Sequence, residues 1–210
     1  MKYTNPLDDI LGQKSKVKIL RYLSKDNTEA SGRQIAADVK MSPTVCHRAL
    51  NELVSQGIIS TRRTGNIHLF RLNMDNYMVE KMLLPLFKKE SGMMRMLAKE
   101  VSKEIREDVI SIILFGSLAR RAEEPYSDID LLVVAQNAES KEKLKTFFSK
   151  RQDDFIRRFG NVLSPYIITR TDFKRRYQKN DPLIREAVKT GQLFFGKRVS
   201  EVLLGGSKEA

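Results

Sequence analysis

Residues 115–130 hold the side chains of this chain best suited to chemistry: Gly116-Ser117 at the end of an apolar run and, after ten intervening residues, Asp128-Ile129-Asp130. Val109 to Phe115 is short, apolar and rich in isoleucine, which predicts a buried strand, and Gly116-Ser117 ends it where a helix can begin. A helix start there points free backbone N–H groups at an anion. Gly116 lets a phosphate approach the backbone with no Cβ in the way, and Ser117 adds a hydroxyl donor. Ser127 to Val134 reads as a second strand, in which period-two alternation puts Asp128 and Asp130 on one face. Two like charges so placed repel each other unless a cation sits between them, so the pattern points to phosphate and metal chemistry together.

The spacing resembles the signature of the DNA polymerase beta-like nucleotidyltransferase superfamily: Gly-Ser, about ten residues, then Asp-hydrophobic-Asp in an apolar strand. The resemblance implies that Gly116 and Ser117 grip the β- and γ-phosphates of a nucleoside triphosphate, with Arg120 and Arg121 as basic residues near those phosphates. It implies that Asp128 and Asp130 are the catalytic pair and ligate Mg²⁺, with Mn²⁺ as a substitute. The implied reaction is transfer of a nucleoside monophosphate to an acceptor hydroxyl, with release of pyrophosphate. Active members carry a third carboxylate on a later strand. The strand expected here, Asn161 to Thr169, has no Asp or Glu, and offers Ser164 or Tyr166 at that position. The nearest acid, Asp172, reads as part of a helix cap. Two carboxylates still suffice for a nucleotide-bound Mg²⁺, which takes few protein ligands. Two functions therefore stand side by side: a transferase, and a transcriptional regulator whose transferase domain binds nucleotide without turning it over.

The elements upstream form a different object. Lys16 to Leu23 predicts a helix; Ser31 with Gln34 is a capping pair that opens a second; Ser42-Pro43 is an N-cap with proline at the first helical position of a third, running to Gly57. At about 100° per residue, Cys46, Leu50, Leu53 and Val54 gather on one side of the third helix. Thr44, Arg48 and Asn51 lie on the other, with His47 on the flank. Ile58 to Arg63 and Ile67 to Leu72 read as a hairpin around Thr64-Gly65-Asn66. Three helices and a hairpin resemble a winged helix-turn-helix domain. In that family the third helix enters the DNA major groove and the wing touches the backbone. The resemblance assigns Thr44, His47, Arg48 and Asn51 to base edges or nearby phosphates, and Arg62, Arg63 and His68 to the wing.

The chain of 210 residues carries a net charge of +12. Lys and Arg outnumber Asp and Glu by 12 to 7 over residues 1–75 and by 19 to 13 over 109–210, but only by 7 to 6 over 76–108. Both ends are basic and the middle is not, which favours polyanionic partners: duplex DNA at one end, nucleoside triphosphate at the other. The lone Cys46 excludes an internal disulfide, and no apolar run approaches a membrane span, so a cytoplasmic protein is expected with no membrane partner.

The expected organisation is a two-domain α+β and α/β chain: a winged helix-turn-helix domain over 1–75, a helical connector over 76–107, a nucleotidyltransferase-fold mixed sheet with flanking helices over 108–204, and a disordered tail over 205–210. Pro85 and Ser91-Gly92 should bend or break the connector. Its apolar spacing suits pairing with a second copy, so a homodimer is expected. Within the last domain, a charged helix over Ser140 to Phe159, short helices around Lys174-Arg175-Arg176 and from Asp181 to Lys189, and a brief final strand from Gln192 to Phe195 complete the reading.

Overall fold

The computed structural model describes residues 4–26, 28–120 and 127–204, which fall into two compact units divided between Met93 and Met94. Arg121 and the tail expected over 205–210 lie outside the described residues.

In the first unit, helices α1 (Pro6–Leu11) and α2 (Lys14–Leu23) lead to a two-residue strand β1 (Ala30–Ser31), then to α3 (Gly32–Asp38) and α4 (Pro43–Ser55). Both starts expected from capping residues are made. The Ser31 hydroxyl accepts from the Gln34 N–H at 3.2 Å, and the Ser42 hydroxyl from the Val45 N–H at 3.4 Å. Cys46, Ala49, Leu50 and Leu53 line the buried face of α4 and pack on Ile19, Leu20 and Leu23 of α2 and Ile35 of α3. The apolar stripe is thus satisfied within the unit, and Cys46 serves as a small hydrophobe. Lys16 is buried between helices, its ammonium 2.7 Å from Glu52 and 2.7 Å from the Asp9 carbonyl, so a desolvated charge ties α2 to α4.

Strands β2 (Ile59–Thr64) and β3 (Ile67–Leu72) form the hairpin, with Gly65 at φ +59° supplying the left-handed turn residue. β1 adds to the other edge of β3, giving the order β1-β3-β2. The chain then enters a wide π-helical turn over Val79–Leu83, just before Pro85, and continues as α5 (Leu84–Ser91). Proline has no N–H to give the preceding turn, which is where the regular bonding pattern yields. Met78, Val79, Leu83 and Phe87 are buried in the first unit's core.

The second unit begins with α6 (Met93–Ser102), whose Leu97 and Val101 are buried with Ile105 in a separate core. The stretch read as a connector over 76–107 thus divides between the two cores. Strand β4 (Val109–Leu114) is buried at every residue and is followed by a single helical turn, α7 (Gly116–Ala119). Strand β5 (Ile129–Ala135) runs antiparallel to β4, and β6 (Leu163–Thr169) runs parallel to β5. Helix α8 (Ala138–Phe159) joins β5 to β6; after β6 come α9 (Arg170–Gln178), α10 (Pro182–Thr190), β7 (Gln192–Gly196) and α11 (Val199–Leu204). The sheet order is β6-β5-β4-β7, a mixed sheet of the kind expected.

Its two faces bury different sets. Leu131, Val133 and Ala135 of β5 face α6 and the Leu144, Phe148 and Phe155 side of α8. Leu132 and Val134 face Phe173 of α9, Ile184 and Ala187 of α10 and Val202 of α11. Alternation along β5 therefore puts Asp130 on the α9–α10 side, together with Ser164 and Tyr166 of β6.

Candidate active site and nucleic-acid face

Gly116 leaves β4 at φ +72°, a left-handed conformation suited to glycine. A Cβ built on it would stand 2.0 Å from Asp130 Oδ2, so the carboxylate occupies the space that any other residue type would fill. The Phe115 N–H donates to the Asp130 carbonyl at 3.0 Å, and the Gln192 side chain donates to the Ala119 carbonyl at 2.9 Å. These bonds hold the Gly-Ser turn against β5 and β7. Because α7 is only one turn, the helix dipole expected behind Gly116-Ser117 is short. The anion-binding capacity here lies in local N–H groups, the Ser117 hydroxyl and Arg120.

Gly116, Ser117, Arg120 and Asp130 line one cavity of about 480 Å³, together with Phe115, Ser164, Pro165, Tyr166, Leu183 and Glu186. Asp128, expected beside Asp130, is exposed at the strand entrance and does not line this cavity. It still acts on its neighbour. Burial, then Asp128, then Glu186 push the Asp130 carboxyl above the usual carboxylate range, against a smaller opposing pull from Arg120.

Glu186 of α10 is absent from the set expected from sequence. It forms an ion pair with Arg120 and lines the same cavity from α10. Asp130 pairs in register with Ser164 on β6, so the strand position next to the aspartate carries a hydroxyl. Tyr166, two residues on, accepts a hydrogen bond from Arg176, which also pairs with Asp181 at 3.3 Å. The helix cap is Thr169 rather than Asp172, which lies in the first turn of α9: the Asp172 N–H donates to Thr169 Oγ1 at 3.2 Å, the Thr169 hydroxyl donates to the Asp172 carboxylate at 3.1 Å, and Arg175 pairs with Asp172 at 2.5 Å.

In the first unit, Thr44, His47, Arg48 and Asn51 are all exposed on α4. Asn51 and His47 are joined by a 3.1 Å side-chain hydrogen bond. A groove of about 750 Å³ runs between α4 and the hairpin and brings together His47, Asn51, Thr61 and His68 with Arg33 of α3. Thr44, Arg48, Arg62 and Arg63 stand outside it. Arg63 is directly opposite His68 across the hairpin, and its Nε donates to the Gly65 carbonyl at 2.9 Å. Arg62 projects from the other side of the hairpin, where it makes a two-point contact with Glu29 at 2.6 and 3.2 Å. Arg62 in turn holds the Glu29 carboxyl below its ordinary range.

Residues 94–193 match the model of the nucleotidyltransferase domain family, and residues 13–60 match that of a winged helix-turn-helix DNA-binding family. A Methanocaldococcus jannaschii protein, provisionally named a protein adenylyltransferase, is 38% identical over 76 residues, which is 35% of this chain and 51% of that protein. The chain thus spans about half the length of this curated relative. Among solved structures, a homodimeric winged helix-turn-helix domain from Mycobacterium bovis is 22% identical over 41% of this chain and 73% of its own, with a TM-score of 0.33. The antimony-specific transcriptional repressor AntR is 19% identical over 45% of this chain and 78% of its own, with a TM-score of 0.36. Among the described residues no helix is long and apolar enough to cross a membrane. The chain joins a winged helix-turn-helix DNA-binding domain in its first unit to a nucleotidyltransferase domain in its second.

Proposed function

We propose that the second unit binds a nucleoside triphosphate with Mg²⁺ and transfers its nucleoside monophosphate to an acceptor hydroxyl, releasing pyrophosphate, while the first unit holds duplex DNA. The observation that carries this reading is the convergence of Gly116, Ser117, Arg120 and Asp130 in one cavity. Asp128 and Asp130 would hold the ion, Mg²⁺ or Mn²⁺, and the donor chemistry fits it. Asp130 is half-buried and repelled by two other carboxylates, a charge arrangement that a divalent cation relieves. Among the described residues no three His, Cys, Asp or Glu side chains form a cage, so phosphate oxygens and water would complete the coordination, as suits Mg²⁺. When bound, the ion would neutralise phosphate charge.

The chain's own groups do the rest. The Gly-Ser turn approaches the β- and γ-phosphates without a side chain in the way, and Ser117 donates to them. Arg120 offsets the negative charge that develops on the leaving pyrophosphate. Arg121 follows in the chain and is proposed for the same phosphates. The name of the archaeal relative supports adenosine triphosphate as the donor and a protein hydroxyl as the acceptor.

For the first unit, the exposed face of α4 with Thr44, His47, Arg48 and Asn51 is proposed to read the major groove, and Arg62, Arg63 and His68 to approach the backbone through the wing. Tyr77, Met82, Leu86 and Met93 are exposed apolar side chains along the segment after the wing, which supports pairing of two chains. A cytoplasmic setting accompanies the use of nucleotide and DNA. One observation favours a second reading, a regulator that binds nucleotide without turnover: Ser164 stands where a carboxylate would sit beside Asp130.

Calorimetry with ATP analogues and Mg²⁺ tests the shared part of both readings. The Asp128→Asn/Asp130→Asn protein keeps the shape and loses the charge, and should lose magnesium-dependent binding; undiminished affinity sinks the assignment. Incubation with α-labelled ATP and cell extract then separates transferase from regulator.

A further inference from the structure

The cavity of the second unit is lined from β6 and from α10, and the β6 contribution lacks an acid. On β6, Ser164 pairs with Asp130 and offers a hydroxyl, which takes no proton at neutral pH. Helix α10 brings Glu186 to the same cavity. Its placement is fixed by its neighbours: Ile184 and Ala187 are fully buried against the sheet face that carries Asp130, which leaves Glu186 at the rim of that packing and directed to the cavity. Its side chain is 42% exposed and forms its ion pair with Arg120, a cation that lines the same cavity.

A triphosphate entering beside Gly116 and Ser117 competes with Glu186 for Arg120. Phosphate oxygens offer more charge than one carboxylate, so the guanidinium turns to them and the Glu186 carboxylate is left uncompensated at the site. We propose that Glu186 is the base of the transfer, held by Arg120 until the triphosphate arrives, in place of the acid that β6 lacks. The inference rests on the nucleotidyl-transfer reading above. In the step, the acceptor hydroxyl gives its proton to the Glu186 carboxylate as its oxygen bonds to the α-phosphorus. The bond from the α-phosphorus to the oxygen bridging to the β-phosphate breaks, and pyrophosphate leaves with that electron pair. Glu186 then returns the proton to water.

The test uses the full chain and the variants Glu186→Gln, Glu186→Asp and Asp128→Asn/Asp130→Asn. Binding is read by calorimetry with Mg²⁺ and an α,β-methylene ATP analogue, and transfer by label from α-labelled ATP on acceptors in cell extract. Glu186→Gln should bind the analogue at least as tightly as the wild type, because Arg120 is freed. Its kcat should nevertheless fall by about 10²–10⁴-fold with KM unchanged or lower, the range that a positioned base contributes. Glu186→Asp should retain more turnover than Glu186→Gln. A Glu186→Gln kcat close to that of the wild type, or loss of analogue binding in that variant, overturns the assignment. Wild-type protein that binds the analogue but labels no acceptor overturns it too, while leaving nucleotide binding intact. Wild-type protein that behaves like Asp128→Asn/Asp130→Asn and binds no analogue overturns both this inference and the reading beneath it.

Discussion

Ser164 lies directly beside Asp130, its partner in the parallel pairing of β6 with β5, and both line the cavity below the Gly-Ser turn. An acid at position 164 would therefore meet Asp130 on the same sheet face. Without a divalent ion, Ser164→Asp should destabilise the fold, since like charges side by side on neighbouring strands repel. Millimolar Mg²⁺ or Mn²⁺ should restore more melting temperature to this variant than to the wild type. Thermal melts in chelator and in each ion measure this, and an ion-independent deficit would show that residue 164 does not share the Asp130 site.

Asp130 gives a pH-dependent prediction. Its carboxyl is raised by burial and by Asp128 and Glu186, so the folded state holds this proton more tightly than the unfolded chain does. A raised carboxyl weakens the fold at pH above its folded value, and that penalty fades as the pH falls through it. Asp130→Asn should therefore melt higher than the wild type at neutral pH without divalent ions, and the difference should shrink as the pH falls into the ordinary carboxylate range. A gap that is constant across this range would exclude Asp130 as the residue responsible.

Much of this arrangement is legible in the residues themselves, where the determinant is local. Ser31 and Ser42 mark helix starts because capping is a three-residue interaction, and Gly116 through Asp130 marks strand, turn and strand because alternation and glycine act over a few positions. What the chain order conceals is long-range. Glu186 lies 66 residues from its partner Arg120, and nothing in the α10 sequence distinguishes it from a solvated acid. Glu29 and Arg62 meet only because the two-residue β1, too short to carry a periodic signal, docks on β3. The connector reads as one amphipathic stretch, yet its apolar residues serve two cores: Phe87 belongs to the first and Leu97 to the second.

Gly116→Ala joins two costs in one substitution. The left-handed backbone at φ +72° costs about 1–2 kcal/mol for a residue with a Cβ. The added methyl would also stand 2.0 Å from Asp130 Oδ2, so the carboxylate must move. The variant should melt lower than the wild type and bind Mg²⁺-nucleotide more weakly than its lost stability explains. Calorimetry at a temperature where both proteins are folded separates the effects, and unchanged affinity there would remove Gly116 from the nucleotide site.

The wing and the recognition helix should respond to mutation in different ways. Arg48 is exposed on α4, so Arg48→Ala should cost about 1–3 kcal/mol on a preferred duplex and little on others, as a base contact does. Arg62 is engaged by Glu29 on the side of the hairpin away from the groove, an exposed pair that water and salt screen. Glu29→Gln should free Arg62 and remove an acid from the wing, raising affinity for all duplexes alike. The plot of log affinity against log salt should steepen by about 0.9 as the freed guanidinium neutralises one more phosphate. Arg62→Ala should move both affinity and slope in the opposite direction. Fluorescence anisotropy on specific and scrambled duplexes over a salt series resolves these cases, and a Glu29→Gln protein with unchanged affinity and slope would remove Arg62 from the DNA-binding surface.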